Sequence, residues 1–268
     1  MIDRITKQPF CQTSFMCRAV DNLELLLSQP DESIDLIYCD ILYGTGRNFG
    51  DYQDLKPIRS EIEAHYLPRL KEMHRVLKST GSIYLQMDTR INHWMRILMD
   101  DIFGYANFKN EIVWTYKSGG GSKKRYNEKK DHVLFYTKSQ SYTFNPVFQK
   151  RRLKHDYGFK EIRDTKGEDE NGFYYLTHSS SVWDDIVINQ MGQSNKDNKK
   201  KLYSTQKPIE LLMRIINTSS NEGDTVADYY LGSGTTAVVC KELNRKFIGC
   251  DINPKAIEIT NARLDAVS

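Results

Sequence analysis

The segment Asp228-Tyr229-Tyr230-Leu231-Gly232-Ser233-Gly234-Thr235-Thr236-Ala237 sets a carboxylate at the end of the apolar run Thr225-Val226-Ala227 and follows it with two glycines. A strand, a glycine turn and a helix start let a ligand lie against bare backbone at the carboxyl end of a parallel sheet. At the end of the next apolar run, Lys246-Phe247-Ile248-Gly249-Cys250, stands Asp251. A carboxylate there is suited to accept from both ribose hydroxyls of a nucleoside. Gly232-x-Gly234-x-x-Ala237 formally fits the dinucleotide fingerprint. Two features count against a nicotinamide dinucleotide: only 17 of the 268 residues follow Asp251, and Asp228 faces the place of a pyrophosphate. S-adenosyl-L-methionine, with a cationic ammonium and sulfonium, suits that carboxylate better. A second segment, Cys39-Asp40-Ile41-Leu42-Tyr43-Gly44-Thr45-Gly46, also runs from an acid into glycines. Alone it is a weak signal, because an Asp at a strand end is often a cap.

These acids need strands and helices behind them. Residues 33–39 form a short apolar run of strand type that ends at Asp40, and 60–78 follow with Ile62, Tyr66, Leu67, Leu70, Met73, Val76 and Leu77 at helical spacing. Gly81 introduces a second strand over 82–87, and an amphipathic helix covers 91–103 with Gly104 as its cap. After 205 the pattern returns: a helix from Pro208 with Ile209, Leu212, Ile215 and Ile216 on one face, a turn at 221–224, a helix over 235–243 and a last helix over 254–264.

The intervening stretch, about 110–203, is different. Residues 117–130 hold six basic side chains, one acid and three consecutive glycines; further basic clusters occupy 150–154 and 196–201, with Tyr142, Phe144, Phe148, Tyr157, Phe159, Phe173, Tyr174, Tyr175 and Trp183 between them. It reads as an insertion on a core. The chain is 39% hydrophobic and 27% charged with a net charge of +3, a globular composition that excludes a fibrous or wholly disordered chain. The longest run free of Asp, Glu, Lys and Arg, 171–183, is rich in Ser, Thr and Asn, so no transmembrane span is expected. Residues 1–10 lack an apolar signal core, and five cysteines without a CxxC pair argue against disulfides and structural zinc, which fits a reducing cytoplasm. The six histidines lack metal-ligand spacing, and no metal is expected.

Taken in order, these motifs resemble the β group of DNA amino-methyltransferases, whose motif order is circularly permuted. In that family a D/S-P-P-Y tetrapeptide comes first, then a variable target-recognition region, a T-x-K-P segment and D-P-F-x-G-S-G-T-T. The matching positions are Asp40-Ile41-Leu42-Tyr43, the basic aromatic stretch, Thr205-Gln206-Lys207-Pro208, and Asp228 through Thr236. Residues 247–254 are similar to the strand with the ribose-binding acid, and 110–114 through 144–146 to the family's central stretch.

The resemblance implies an α/β, Rossmann-like methyltransferase fold: a mixed seven-strand sheet flanked by helices, one permuted domain over 1–268, with a target-recognition region inserted at 115–203. It implies site-specific adenine-N6 methylation of double-stranded DNA from S-adenosylmethionine, with the target base flipped into the pocket. Asp40 and the backbone carbonyl of Leu42 accept the amine hydrogens, and Tyr43 stacks on the base. Thr205, Gln206, Lys207, Asp228, Tyr230, Gly232, Gly234, Thr235, Asp251 and Ile252 belong to the cofactor side, with the first three at its methionine carboxylate. Asp rather than Ser at position 40 favours adenine N6 over cytosine N4, a family tendency. Cytosine-N4 methylation and a silent paralogue that binds cofactor and DNA are the alternatives. Family members are often dimers, and a cognate restriction endonuclease is a partner of the same class. Phosphate contacts are expected from Lys117, Lys123, Lys124, Arg125, Lys129 and Lys130, then from Arg151 and Arg152. The departures are Ile41 and Leu42 in place of two prolines, and Tyr229-Tyr230 in place of Pro-Phe. If losing the two prolines loosens the loop, about 1–2 kcal/mol of preorganisation goes, or a roughly 5- to 30-fold slower reaction.

Overall fold

A computed structural model describes residues 14–50, 52–116, 122–153, 166–187 and 206–267. Lys117, Tyr157, Phe159, the basic cluster at 196–201 and Thr205 therefore lie outside the described residues.

Strand β2 (Ile34–Asp40) shows why the sheet is central: its residues pack to both sides, Ile37 and Cys39 into one core and Leu36 and Tyr38 into the other. A near-continuous apolar strand of this kind belongs between two helical layers. One layer holds α1 (Asn22–Ser28), α2 (Arg59–Val76) and α3 (Asn92–Phe103). Leu26, Ile62, Tyr66, Leu70, Met73, Met95 and Phe103 fill the core on that side. The other layer holds α4 (Ile209–Ser219), α5 (Thr235–Glu242) and α6 (Pro254–Asp265), with Leu211, Leu212, Ile215, Ile216, Val239 and Cys240 in its core.

The sheet also contains β1 (Phe15–Ala19), β3 (Leu77–Met87), β4 (Phe108–Thr115), β5 (Lys130–Thr137), β9 (Val182–Trp183), β10 (Thr225–Asp228) and β11 (Lys246–Asp251). Its order is β1-β11-β10-β2-β3-β5-β4-β9. From β1 to β3 all pairs are parallel; β5 runs antiparallel to β3 and to β4. The mixed α/β architecture is the expected one, with eight strands in the sheet among the described residues instead of seven. The additional strand is the two-residue β9, docked on β4 through Val113↔Val182 and Trp114↔Trp183, with both tryptophans buried.

Two residues of the expected helix at 60–78 depart from it. Leu77, expected in the helix, already belongs to β3, which therefore starts ahead of Gly81. Helix α2 also runs through Pro68, and Leu67 beside it faces outward. Of the expected insertion at 115–203, β5 and β9 belong to the central sheet. A separate three-stranded sheet is formed by β6 (Phe148–Arg152), β8 (Gly172–His178) and β7 (Lys166–Asp169) in that order. The reason is register: residues 132–137 pair along the whole of 82–87, which the aromatic and basic composition of the region conceals.

Strands β10 and β2 are parallel neighbours, with Val226 opposite Leu36 and Ala227 opposite Ile37. The connection from β10 leads through α5 to β11 on one side, and that from β2 through α2 to β3 on the other. Loops that leave adjacent strand ends in opposite directions open a crevice between them, the place where open α/β sheets bind ligands.

Candidate active site

A cavity of about 590 Å³ occupies that crevice, within the range for small-molecule and cofactor sites. Asp40, Leu42 and Tyr43 line it from the β2 loop, and Asp228, Tyr230, Gly232 and Thr235 from the β10 loop. Asp251 and Ile252 reach it from the end of β11, and Lys207 from the segment before α4. The two acidic loops from opposite ends of the chain thus converge on one space.

The β10 side is built from its own neighbourhood. Buried Asp228 accepts from the Thr236 hydroxyl at 2.6 Å and from the Tyr230 backbone N–H at 3.0 Å. Burial raises its carboxyl to about 7 against those donors, and the charges of Asp40 and Asp251 add to the rise. Asp251 accepts from the backbone N–H groups of Gly232 and Asn253, both at 2.9 Å. Gly234 caps α5 in the left-handed region, at φ 74°, and a Cβ there would stand 2.3 Å from Thr260 Oγ1, so only glycine fits. Buried Arg263 donates to the Ser233 carbonyl at 2.5 Å and to Thr235 Oγ1 at 3.2 Å, which fixes the turn from α6. The Tyr230 hydroxyl meets His65 Nε2 at 3.1 Å, and burial lowers that imidazole to about 4, neutral at physiological pH. Tyr229 turns its side chain into the core and donates to Gln29 Oε1. Ile252 is an exposed rim residue.

The β2 side is assembled from distant elements. Asp40 Oδ1 accepts from the Tyr43 hydroxyl at 2.7 Å, and Oδ2 contacts Lys207 Nζ. Burial raises the Asp40 carboxyl while the Lys207 ammonium pulls it down. Lys207, expected beside the cofactor's carboxylate, stands here on Asp40, because a carboxylate desolvated at the cavity wall draws a compensating ammonium. The Leu42 carbonyl accepts from the Tyr66 hydroxyl at 2.9 Å, from helix α2. Buried Asp54 accepts from the N–H groups of Gly44, Thr45 and Leu55 at 2.8–3.1 Å and from the Thr45 hydroxyl. Tyr66 and Asp54 therefore fasten the loop from outside the four-residue motif, where the family's prolines would stiffen it from within. Ile41 is buried in the core, an anchor of another kind. No sequence signal marks Asp54 or Tyr66: the first reads as a loop acid and the second as one more core residue on α2.

The basic residues divide. Lys123, Lys124 and Arg125 are exposed on the connection between β4 and β5, together with Tyr126 at 97% exposure. That connection sits at the edge where β2 and β3 end, because Met87 at the end of β3 pairs with His132 near the start of β5. Lys129 and Lys130 close it and are half-buried. Arg151 is exposed on the small sheet, whereas Arg152 is held by Asp169 in a two-pronged ion pair that Lys150 shares, so its charge is largely offset. Among the described residues no group of His, Cys, Asp and Glu could hold a metal ion, and no helix is long and apolar enough to cross a membrane.

Residues 34–262 match the family described as DNA methylase. Type II methyltransferase M.HpaI of Haemophilus parainfluenzae is 35% identical over 251 residues, 93% of this chain and 72% of that protein. DNA adenine methyltransferase YhdJ of Escherichia coli K12 is 32% identical over 253 residues, 92% of this chain and 82% of that protein. Among solved structures, the M1.HpyAVI–SAM complex superposes with a TM-score of 0.58 at 18% identity, over 94% of this chain and 99% of the other. The cytosine-N4-specific PvuII DNA methyltransferase gives 0.62 at 18% identity, over 94% and 95%. At that identity the superpositions establish the shared fold.

Proposed function

The chain belongs to the N6/N4 DNA methylase family, and we propose that it methylates the exocyclic N6 amine of adenine in double-stranded DNA with S-adenosylmethionine as donor. One observation carries the reading: Asp40 and the Asp228–Gly232–Asp251 turn face each other across a single cavity. The residues fit the donor. Carboxylates at Asp228 and Asp251 suit a cation, and the glycine turn leaves backbone room beside it. Asp251 is the ribose acceptor; Asp228, Tyr230, Gly232, Thr235 and Ile252 form the rest of its bed around the turn that Gly234 shapes, with Thr205 and Gln206 assigned to the methionine end and Lys207 to Asp40. When bound, S-adenosylmethionine supplies an electrophilic methyl group and keeps the S–C bonding pair as a neutral thioether.

The chain's own work is on the amine. Its nitrogen lone pair is delocalised into the base ring; acceptors on its hydrogens draw it toward sp³ and free that pair to form the N–C bond. Asp40 and the Leu42 carbonyl are those acceptors, and the surplus N–H proton leaves the nitrogen through Asp40 to water. Leu42 can serve while still bonded to Tyr66, since a carbonyl has two lone pairs. Tyr43 stacks on the flipped base. Asp at position 40 favours adenine, as does the name of the YhdJ relative; the motif order, Asp40 ahead of Gly232, is that of the permuted β group.

The basic connection at 122–130 leads DNA to this edge, and the small sheet of β6, β8 and β7 belongs to the target-recognition region. Replacing Lys123, Lys124 and Arg125 by Gln is expected to flatten the dependence of log affinity on log salt by about 2–3; an unchanged slope in a binding titration moves the DNA path elsewhere. The deciding experiment incubates the protein with unmethylated genomic DNA and methyl-labelled cofactor, then identifies the labelled nucleoside after digestion. N6-methyladenine is expected, and N4-methylcytosine or no label overturns the proposal.

A further inference from the structure

Tyr43 has one hydroxyl proton and two carboxylates to give it to. Its oxygen lies 2.7 Å from Asp40 Oδ1 and 2.9 Å from Asp131 Oδ2. Asp131, near the start of β5, is 5% exposed and rigidly held: Gln86 Nε2 donates to its Oδ2 at 2.8 Å and the Tyr116 hydroxyl to its Oδ1 at 3.1 Å. Gln86 is fixed in turn by the Tyr38 hydroxyl, 2.7 Å from its Oε1. This network joins β2, β3, β5 and the residue after β4 behind the proposed methyl-transfer site. None of Asp131, Gln86, Tyr116 and Tyr38 lies in a sequence motif.

We propose that Asp131 is a positioning residue for methyl transfer: it receives the Tyr43 hydroxyl proton when a target amine reaches Asp40, leaving Asp40 Oδ1 free to accept from that amine. The inference rests on the role proposed above for Asp40. Its physical basis is the cost of an unsatisfied donor. A phenol buried beside Asp40 alone would have to keep its bond there, since abandoning it leaves a desolvated O–H without a partner. With Asp131 0.2 Å further away, the proton exchanges one carboxylate for another. A hydroxyl held on Asp40 would draw off the electron density that the amine hydrogens need. Among the described residues, Lys207, Tyr43, Asp131, Asp228, Tyr38 and Tyr116 interact with the charge of Asp40.

The test compares wild type, Asp131→Asn, Tyr43→Phe and the double variant in single-turnover methyl transfer, using labelled S-adenosylmethionine and unmethylated genomic DNA. In Asp131→Asn the amide oxygen stays toward Gln86 Nε2 and Tyr43 but is a weaker acceptor than a carboxylate, so the Tyr43 hydroxyl keeps its bond to Asp40 and the rate falls about tenfold or more. Tyr43→Phe sets its own rate by what it does to the stacking and removes the competing hydroxyl, so in that background Asp131→Asn costs less than about threefold. The double variant returns to the Tyr43→Phe rate. If Asp131 merely ties strands together, the double variant stays as slow as Asp131→Asn, which overturns the proposal.

A second readout needs no turnover: ¹³C NMR titration of the Asp40 carboxyl in the protein alone. Asp131→Asn moves the midpoint to lower pH, and adding Tyr43→Phe moves it back up; an unmoved midpoint overturns the proposal. Should Asp131→Asn fail to fold, the Asp40 titration in Tyr43→Phe decides: the midpoint moves to higher pH, and an unmoved midpoint means the hydroxyl does not bear on Asp40 and overturns the proposal. Wild type that labels no DNA defeats the proposed function, and the titration still judges the relay.

Discussion

The loops after β2 and β10 begin alike, with an acid at the end of a parallel strand followed by glycines, yet they are held in opposite ways. Asp228 finds its donors within its own turn, at Tyr230 and Thr236, and Asp251 bonds the same turn through Gly232. Asp40 is governed by groups far away in the chain, Lys207 directly and Asp131 through Tyr43. Its loop is fastened by Asp54 and Tyr66. A bed for a cofactor common to many reactions can be written into one continuous segment. An acid that must accept from an amine and then release a proton is tuned by charges placed independently around it.

The largest effect tests the β2 side. Asp40→Ala is expected to lower methyl transfer by about 10²–10⁴-fold, while cofactor affinity by calorimetry stays within a few-fold. Equal losses of turnover and cofactor affinity would erase the distinction between the loops. Next comes the β10 side. Gly234→Ala forces a Cβ into Thr260 and a side chain into the left-handed region, at about 2–5 kcal/mol of stability. A lowered melting temperature together with weak cofactor binding is the expected result, and a double variant with Thr260→Gly should recover part of it.

A smaller effect separates the two acids by pH. The Asp228 carboxyl is raised from 3.8 to about 7, so the folded protein holds its proton more tightly than the unfolded chain does. That contribution to stability is complete below the unfolded value and is lost as pH rises toward the folded one. In the same window the ionised carboxylate becomes available to a sulfonium. The affinity ratio of S-adenosylmethionine over its neutral thioether product should rise by up to about tenfold between pH 6 and pH 8. Asp228→Asn should flatten both trends; a wild-type ratio independent of pH would show that Asp228 does not sense the sulfonium.

Legibility followed the same division. The helices around Leu70, Met99 and Leu212, the strands ending at Asp40, Asp228 and Asp251, and the glycine turn were readable because each is specified by neighbours a few residues away. Strand β5 was harder to read: residues 130–137 resemble the basic aromatic stretch around them, and their membership in the sheet comes from pairing with β3. Arg152 reads as a phosphate contact from its basic neighbours, and its pairing with Asp169, 17 positions away, comes from the antiparallel register of the small sheet.

The amino-acid order by itself determined the two acidic strand ends, the glycine turn between β10 and α5, the helical layers and the family they belong to, since local spacing encodes all of these. Only the tertiary structure decided that Lys207 sits on Asp40, that Asp54 and Tyr66 do the stiffening of the absent prolines, and that Asp131 shares the Tyr43 proton. Those contacts join residues from 9 to 167 positions apart. Their strength depends on burial and on separations of about 3 Å, which chain spacing does not specify until the sheet brings the strand ends together.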